Sequence, residues 1–325
     1  MIMYLQVLAG FILLVGAAEF LVRGAVSLAD RFGVSPLVIG MTIVAVGTSA
    51  PELVVSLDAV FEGSPGLAVG NIVGSNIANV LLILGATCML KPIIVHPGST
   101  PMDGWILTGG TAIFVGLCIY GDLDVVAAIL LLSAFFGFLG ANYWRHSRDP
   151  KAVEEAAQEV EDFQGGPKPL YVNLVMVIAG LAGLVYGADL LVEGGVQIAR
   201  TFAVSEEVIG LTLFAIGTSL PELAASLVAA FRGHPAVAIG NVIGSNLFNI
   251  LGVGGILGLV ATIPVPAQII EFDLWVLLAS TLVLFPILVL NWRVPRITGV
   301  LLLVTYIGYV WVQAFGVENA MALLG

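Results

Sequence analysis

The sequence predicts an all-α polytopic membrane protein with ten transmembrane helices, arranged as two inverted-topology five-helix repeats. Three observations carry this. First, 59% of the 325 residues are hydrophobic and 10% are charged, with a mean hydropathy of +1.08. Second, one stretch occurs twice. Gly47-Thr-Ser-Ala-Pro-Glu52 returns as Gly217-Thr-Ser-Leu-Pro-Glu222, and Gly70-Asn-Ile-Val-Gly-Ser-Asn-Ile-Ala-Asn79 returns as Gly240-Asn-Val-Ile-Gly-Ser-Asn-Leu-Phe-Asn249. The offset is 170 residues, and 24 of the 46 positions in 40–85 are identical to those in 210–255. Third, the repeated Ser, Thr, Asn and Glu lie inside apolar segments, where polar groups are costly. Placing them there twice, in register, builds one site from two halves.

Apolar runs cover 4–29, 36–61, 66–90, 103–121, 124–144, 169–198, 207–231, 236–260, 270–291 and 297–316. Each is long enough to cross a bilayer as a helix, and none alternates with the period of two that barrel strands need. The first has a long apolar stretch and no basic segment before it, so it reads as a span rather than a removable signal peptide. Within it, Glu19 and Arg23 are four apart and read as an ion pair. In the second, Gly47 and Pro51 flank Thr48, Ser49 and Ala50, so the helix should kink or unwind and free backbone carbonyls there. Ser49 and Glu52 are three apart and share a face. Asp58 falls near the end of this span, toward an outer vestibule.

In the third span Ser75 and Asn79 share a face. Gly66, Gly70 and Gly74 are spaced at four, which predicts close approach of the second and third spans. Asn76 and its counterpart Asn246 lie off the Ser–Asn face and read as helix-packing groups. Cys88 and Cys118 read as packing residues too. The fourth and fifth spans complete a first repeat over 1–145. Residues 146–168 form a cytoplasmic linker, with Glu154, Glu155, Glu159, Glu161 and Asp162 followed by Gly165-Gly-Pro167. It is too short to hold a folded regulatory domain.

The second repeat covers 169–325. Its sixth span aligns with the first, since Ala18-Glu19-Phe-Leu-Val-Arg23 matches Ala188-Asp189-Leu-Leu-Val-Glu193. Asp189 and Glu193 cannot pair with each other, and their role is open at this point. The seventh span repeats the Gly–Pro break around Thr218 and Ser219 and carries Glu222. The eighth carries Ser245 and Asn249, and the ninth and tenth complete the half. Five is odd, so the second half enters the membrane from the opposite side and the repeats are inverted. With both termini outside, the inside loops hold Arg31, Lys91, Arg145, Arg148, Lys151, Lys168, Arg232, Arg293 and Arg296, nine of the 11 basic residues. The expected location is the cell membrane. The net charge is −11, with five of the acids at Glu154, Glu155, Glu159, Glu161 and Asp162 in the linker, and no basic patch suggests nucleic acid.

The pooled ligands are two carboxylates (Glu52, Glu222), four hydroxyls (Ser49, Ser219, Ser75, Ser245) and two amides (Asn79, Asn249). Backbone carbonyls near Thr48, Thr218, Ala45 and Ala215 join them. All are hard oxygen donors, which suit Ca²⁺ or alkali cations rather than zinc or copper. Two carboxylates neutralise one divalent ion, and the neutral oxygens suit a monovalent ion such as Na⁺. Buried carboxylates at the centres of spans are functional by default. The residues alone therefore indicate a cation transporter.

The paired motifs resemble the calcium/cation antiporter superfamily, specifically its Na⁺/Ca²⁺ exchanger branch, whose repeats read G-T-S-x-P-E and G-N-x-x-G-S-N-x-x-N. The resemblance covers essentially the whole chain. It implies alternating access, with the first and sixth spans sliding past a fixed core. It implies a central Ca²⁺ position at Glu52 and Glu222 with the Thr48 and Thr218 backbones. Flanking Na⁺ positions would lie at Ser49, Ser75, Ser219 and Ser245 with the Ala45 and Ala215 carbonyls, and Asn79 and Asn249 would complete the core. Some members, K⁺-dependent ones among them, have Asp where this chain has Asn249. The chain lacks the large Ca²⁺-sensing domains of animal exchangers. The expected substrates are Ca²⁺ and Na⁺ with no cofactor, in a chain that acts as a monomer in the lipid bilayer. A proton-coupled Ca²⁺/cation antiporter is the alternative, although such relatives carry a different first motif. The inverted repeat argues against a channel. An enzyme is disfavoured because His96, His146 and His234 all lie near loops, with no clustered nucleophile and base.

Overall fold

A computed structural model describes residues 2–94, 101–146, 169–202, 215–290 and 293–316. The helices are α1 (Ile2–Phe32), α2 (Pro36–Thr48), α3 (Ala50–Phe61), α4 (Pro65–Leu90), α5 (Pro101–Tyr120), α6 (Val125–His146), α7 (Leu170–Thr201), α8 (Leu220–Phe231), α9 (Pro235–Val260), α10 (Ile269–Val289) and α11 (Arg296–Phe315). Among the described residues, eight of them are individually long and apolar enough to cross a membrane. The α2–α3 pair, bent by 40°, makes a ninth candidate. The N-terminal part of the predicted seventh span and residues 147–168 of the linker fall outside the described residues.

Local sequence explains where these helices begin and turn. Pro36, Pro65 and Pro235 stand at helix starts, where a missing N–H is no loss. After α3 and α8 the chain reverses at Gly63 and Gly233, with φ of 76° and 91°. Only glycine takes that conformation without strain, and the two positions are equivalent by the repeat. Residues that large and apolar would normally be hidden, such as Leu5, Leu8 and Phe11 on α1 and Leu301, Val304 and Ile307 on α11, are exposed. In a membrane that surface faces hydrocarbon.

The core divides into two clusters. The larger gathers around α4 and α9, the most enclosed of the long helices, with α5, α6, α10 and α11 packed about them. The smaller joins α1, α2, α7 and α8. Outside the helices the two halves meet in matching ways. Ile93 pairs with Val294 and Ile94 with Arg293 in a two-stranded antiparallel ribbon, while Leu123 forms a bridge with Ile263. Residues 93 and 263, like 123 and 293, are repeat equivalents, so one connection occurs twice with the halves exchanged.

The glycine row of α4 packs differently from expectation. A side chain at Gly66 would meet Pro266 at 2.9 Å, one at Gly70 only Ile269 at 4.0 Å, and one at Gly74 nothing within 4 Å. The row faces the start of α10 and a cavity, not α2 and α3. Its small residues leave space open instead of bringing those spans together.

The α1–α7 contact is antiparallel and built on bare backbone. A Cβ at Gly10 would lie 2.7 Å from the Gly187 carbonyl oxygen, at Gly194 2.7 Å from that of Met3, and at Gly180 2.7 Å from the Leu21 amide nitrogen. Backbone cannot move aside as a flexible side chain can. Gly180→Val should therefore cost about 1–3 kcal/mol through overpacking and lower the thermal midpoint of the detergent-purified protein. Gly308→Val, where a Cβ meets nothing within 4 Å, should leave the midpoint nearly unchanged.

Candidate cation site

The break expected in the second span is present. Ser49 leaves the helical conformation at φ −87°, ψ 8°, and Ser219 does so at φ −88°, ψ 3°. In each copy the next helix has proline at its second position and glutamate at its third, which places Glu52 and Glu222 in the first turns of α3 and α8. A helix N-terminus favours negative charge there. The break is narrow. The Ala45 carbonyl still accepts the Ser49 amide at 3.0 Å and the Thr48 hydroxyl at 3.4 Å. It is less free than the sequence suggests.

The two halves meet at these breaks. Ser49 Oγ donates to Glu222 Oε1 at 2.8 Å, across 173 residues of sequence. Ser49 therefore points to the carboxylate of the other half and not to Glu52, its neighbour by helical spacing. Thr48 Oγ1 donates to Asn241 Oδ1 at 3.2 Å, and Asn79 Nδ2 donates to Asn246 Oδ1 at 2.9 Å. Asn246 thus joins the site's own Asn79 to the opposite half, while Asn76 stays local and bonds the Ile72 carbonyl at 2.7 Å. Glu52, Glu222, Ser49, Ser219, Ser245, Thr48, Asn79 and Asn249 are all 2% exposed or less, and Ser75 is buried as well.

Among the described residues, several buried oxygens here have no hydrogen-bond partner: Glu52 Oε2, Glu222 Oε2, Ser219 Oγ, Ser245 Oγ and Asn249 Oδ1. Buried polar atoms are normally satisfied, and each orphan costs about 1–3 kcal/mol, more when charged. A hard cation satisfies carboxylate, hydroxyl and amide oxygens together. The third and eighth spans add a second irregularity. Their helices loosen into π-helical turns at Asn79–Leu84 and Phe248–Val253, so each turn contains a candidate amide ligand. Such turns are frequent at functional sites because they re-aim side chains.

Sequence reasoning missed four supporting residues. Asn71 Nδ2 donates to the Glu52 carbonyl at 3.1 Å and to Ser56 Oγ at 2.9 Å. Asn241 does the same in the other half, to the Glu222 carbonyl at 3.3 Å and Ser226 Oγ at 3.0 Å. These amides fix the helix that carries each glutamate. The signal was available, since both Asn and both Ser are identical in the two copies.

The surroundings are unequal on the two sides. Thr48 is fully buried, whereas Thr218 is half-buried and lines a cavity of about 490 Å³ that extends past Pro51 and Val55 along α7. Asp189, Glu193, Gln197 and Arg200 are on its wall. At the repeat-equivalent place on the other side, Glu19 is bound by Arg23 at 2.5 Å and by Arg232, from the end of α8, at 2.5 Å. The predicted Glu19–Arg23 pair is therefore part of a three-residue cluster. Its counterparts are Asp189, Glu193 and Glu62, three acids that cannot pair with one another. Asp58 is exposed. Cys88 and Cys118 are buried free thiols.

Comparison with known proteins gives a consistent picture. The profile of the family described as sodium/calcium exchanger protein matches residues 2–144 and 172–315. The putative antiporter CaxA of Alkalimonas amylolytica is 41% identical over 313 residues, covering 93% of this chain and 96% of the relative. The sodium/calcium exchanger MaX1 of Methanosarcina acetivorans is 31% identical, covering 94% and 97%. A solved structure of the sodium-calcium exchanger NCX_Mj superposes with a TM-score of 0.80 at 32% identity, covering 94% of this chain and 96% of that one. The chain is a multi-pass membrane transporter and belongs to the sodium/calcium exchanger family.

Proposed function

We propose that this protein is a secondary antiporter that exchanges Na⁺ for Ca²⁺ by alternating access at one site shared between its halves. The observation that supports this reading is the Ser49–Glu222 bond, which joins a hydroxyl of one repeat to a buried carboxylate of the other. Glu52 and Glu222 hold a divalent ion. Ser49, Ser219, Ser75, Ser245, Asn79, Asn249 and the carbonyls of Ala45, Thr48, Ala215 and Thr218 supply the neutral oxygens that suit Na⁺. An ion of either kind uses the glutamates, so occupancy by one excludes the other. With the site empty, two bare charges are costly to carry past an apolar barrier, and leak is suppressed.

The fold behind this is ten spans in two inverted five-helix repeats, 1–145 and 169–325, joined by a cytoplasmic linker at 146–168, with both termini outside. The exchanged pairing of residues 93 and 123 with 293–294 and 263 supports the inversion. The asymmetry around Thr48 and Thr218 fits a state open on one side. The Glu19–Arg23–Arg232 cluster ties α1 to α8 where the path is closed, while Asp189 and Glu193, with Arg200, line the cavity where it is open. Opposite charges latch a gate, and like charges leave it apart and draw cations in. Proton coupling is the second reading. It would appear as pH-driven Ca²⁺ uptake that is independent of Na⁺.

The deciding experiment is ⁴⁵Ca²⁺ uptake into Na⁺-loaded proteoliposomes. Uptake should rise when external Na⁺ is removed and collapse when the Na⁺ gradient is absent. Glu52→Gln and Glu222→Gln keep the side-chain shape but remove one charge each from a low-dielectric divalent site. Both should reduce Ca²⁺ flux by about a hundredfold or more while the purified protein stays monodisperse. Normal exchange by either variant would sink the shared-site mechanism. Ser49→Ala and Ser219→Ala remove only neutral oxygens and should shift Na⁺ dependence more than Ca²⁺ dependence.

Topology has its own check. A cysteine at Gln158, in a background without Cys88 and Cys118, should resist impermeant thiol reagents in intact cells and react once the membrane is opened. Ready labelling from outside would reverse the assignment of every span.

A further inference from the structure

A cavity of about 450 Å³ lies on the surface of the helix bundle between α1, α7 and α8. Its walls include Phe11 and Val15 on α1, Leu191 on α7, and Leu220, Ala224 and Phe231 on α8. The α8 residues recur at helical spacing and form one apolar stripe. Phe11, Val15 and Phe231 are exposed. Exposed apolar surface on a spanning segment faces hydrocarbon, so a groove here is filled by lipid chains. Among the described residues, none of the candidate cation ligands lines it.

One end of the groove is charged, because Glu19 and Arg232 line it too. Arg232 is the C-cap of α8 and donates from Nε to Glu19 Oε2 at 2.5 Å, while Arg23 pairs with the other oxygen of that carboxylate. Lys91, just past the end of α4, donates to the carbonyl of Phe231 at 3.2 Å, beside Arg232 in the chain. Two guanidiniums and one ammonium against one carboxylate leave a surplus of positive charge at this end. A guanidinium has several N–H donors, the Glu19 bond uses Nε, and the Arg232 side chain is 50% exposed. The repeat makes this informative. Arg23, Lys91 and Arg232 correspond to Glu193, Ala261 and Glu62, and Val228 of the apolar stripe corresponds to Asp58. The same place in the other half is acidic, and its stripe is interrupted.

Length and charge together select the occupant. From Leu220 to Arg232 the helix rises about 18 Å, at about 1.5 Å per residue. One leaflet of the hydrocarbon core is about 15 Å deep. An acyl chain of one leaflet therefore fits along α8 with its headgroup at the cationic end, and basic clusters at a membrane face favour anionic headgroups. We propose that the groove between α1, α7 and α8 is a binding site for one anionic phospholipid, with its phosphate held by Arg232 and Lys91 and one acyl chain lying against Leu220, Ala224 and Phe231. In the topology proposed above, this lipid belongs to the cytoplasmic leaflet. Because α1 and α7 form one wall and α8 the other, it bridges the helices that the Glu19–Arg232 pair ties together. Lipid binding of this kind is independent of which ions the protein exchanges.

The test is titration of the detergent-purified protein with phosphatidylglycerol, with bound lipid counted by native mass spectrometry. Phosphatidylglycerol should fill one site about fivefold or more tightly than phosphatidylcholine with the same chains. Glycerol phosphate, which carries the phosphate without the chains, should not compete. Arg232→Gln should weaken phosphatidylglycerol binding about fivefold or more, as expected for one basic side chain at an anionic headgroup. Ala224→Phe keeps every charge, fills the groove and should weaken both lipids, so it keeps the test intact if Arg232→Gln does not fold. Arg296→Gln removes a basic residue at the start of α11, outside the groove, and should change nothing. Equal affinity for the two lipids would overturn the proposal. So would phosphatidylglycerol binding that either groove variant leaves unaltered, or that Arg296→Gln weakens as much as Arg232→Gln does. Competition by glycerol phosphate would mark a site for free anions and overturn the lipid assignment.

Discussion

Two carboxylates held in a place that neither water nor lipid reaches set the terms for the rest of this structure. Each would be intolerable alone in the middle of a membrane. They are made tolerable by the way the halves lean on each other: a hydroxyl of one repeat bonds a carboxylate of the other, and Thr48 reaches the amide of the opposite half. Asn71 and Asn241 then hold the backbone carbonyls of the two glutamates to α4 and α9. Neither repeat could assemble this arrangement by itself. The most enclosed helices are accordingly those that bring the two halves' polar motifs together.

The irregular backbone serves the same end. A straight helix would satisfy all its own carbonyls and present side chains in fixed register. The breaks at Ser49 and Ser219, and the π-helical turns at Asn79 and Asn249, disturb both features where the polar motifs lie. Further π-helical turns lie at Gly40–Val44 and Ile269–Asp273, while proline starts several helices and glycine reverses the chain after α3 and α8. The departures from ideal geometry at the polar motifs coincide with the buried unpartnered oxygens, which is where a transported ion has something to gain.

Much of this was legible in the sequence because membrane burial makes polar residues conspicuous. The helical class, the second-span break and the grouping of Ser49, Glu222, Thr48 and Asn79 follow from motifs that stand out against an apolar background. What was not legible depends on direction rather than identity. The spacing of Gly66, Gly70 and Gly74 shows that one face of α4 is small, but not which neighbour it meets, and it meets α10 and a cavity. Ser49 shares a helical face with Glu52, yet the break turns it to Glu222. Asn71, Asn241, Ser56 and Ser226 were passed over because they bond backbone and each other, a role that spacing rules do not single out. The Glu19–Arg23 pair was visible, but its third member, Arg232, lies more than two hundred residues away in sequence.

The α1–α7 interface has a consequence for the pace of transport. Interlocked side chains give two packed helices a washboard of minima, and moving one past the other means lifting every knob out of its hole. Here glycines set backbone against backbone at Gly10, Gly180 and Gly194, and much of that relief is missing. A helix pair of this kind works as a plain bearing. In the proposed cycle the resistance to sliding then comes little from the bearing and mainly from the charges that must cross with it. Turnover would be governed by which ions fill the site, so the load itself would act as the clutch.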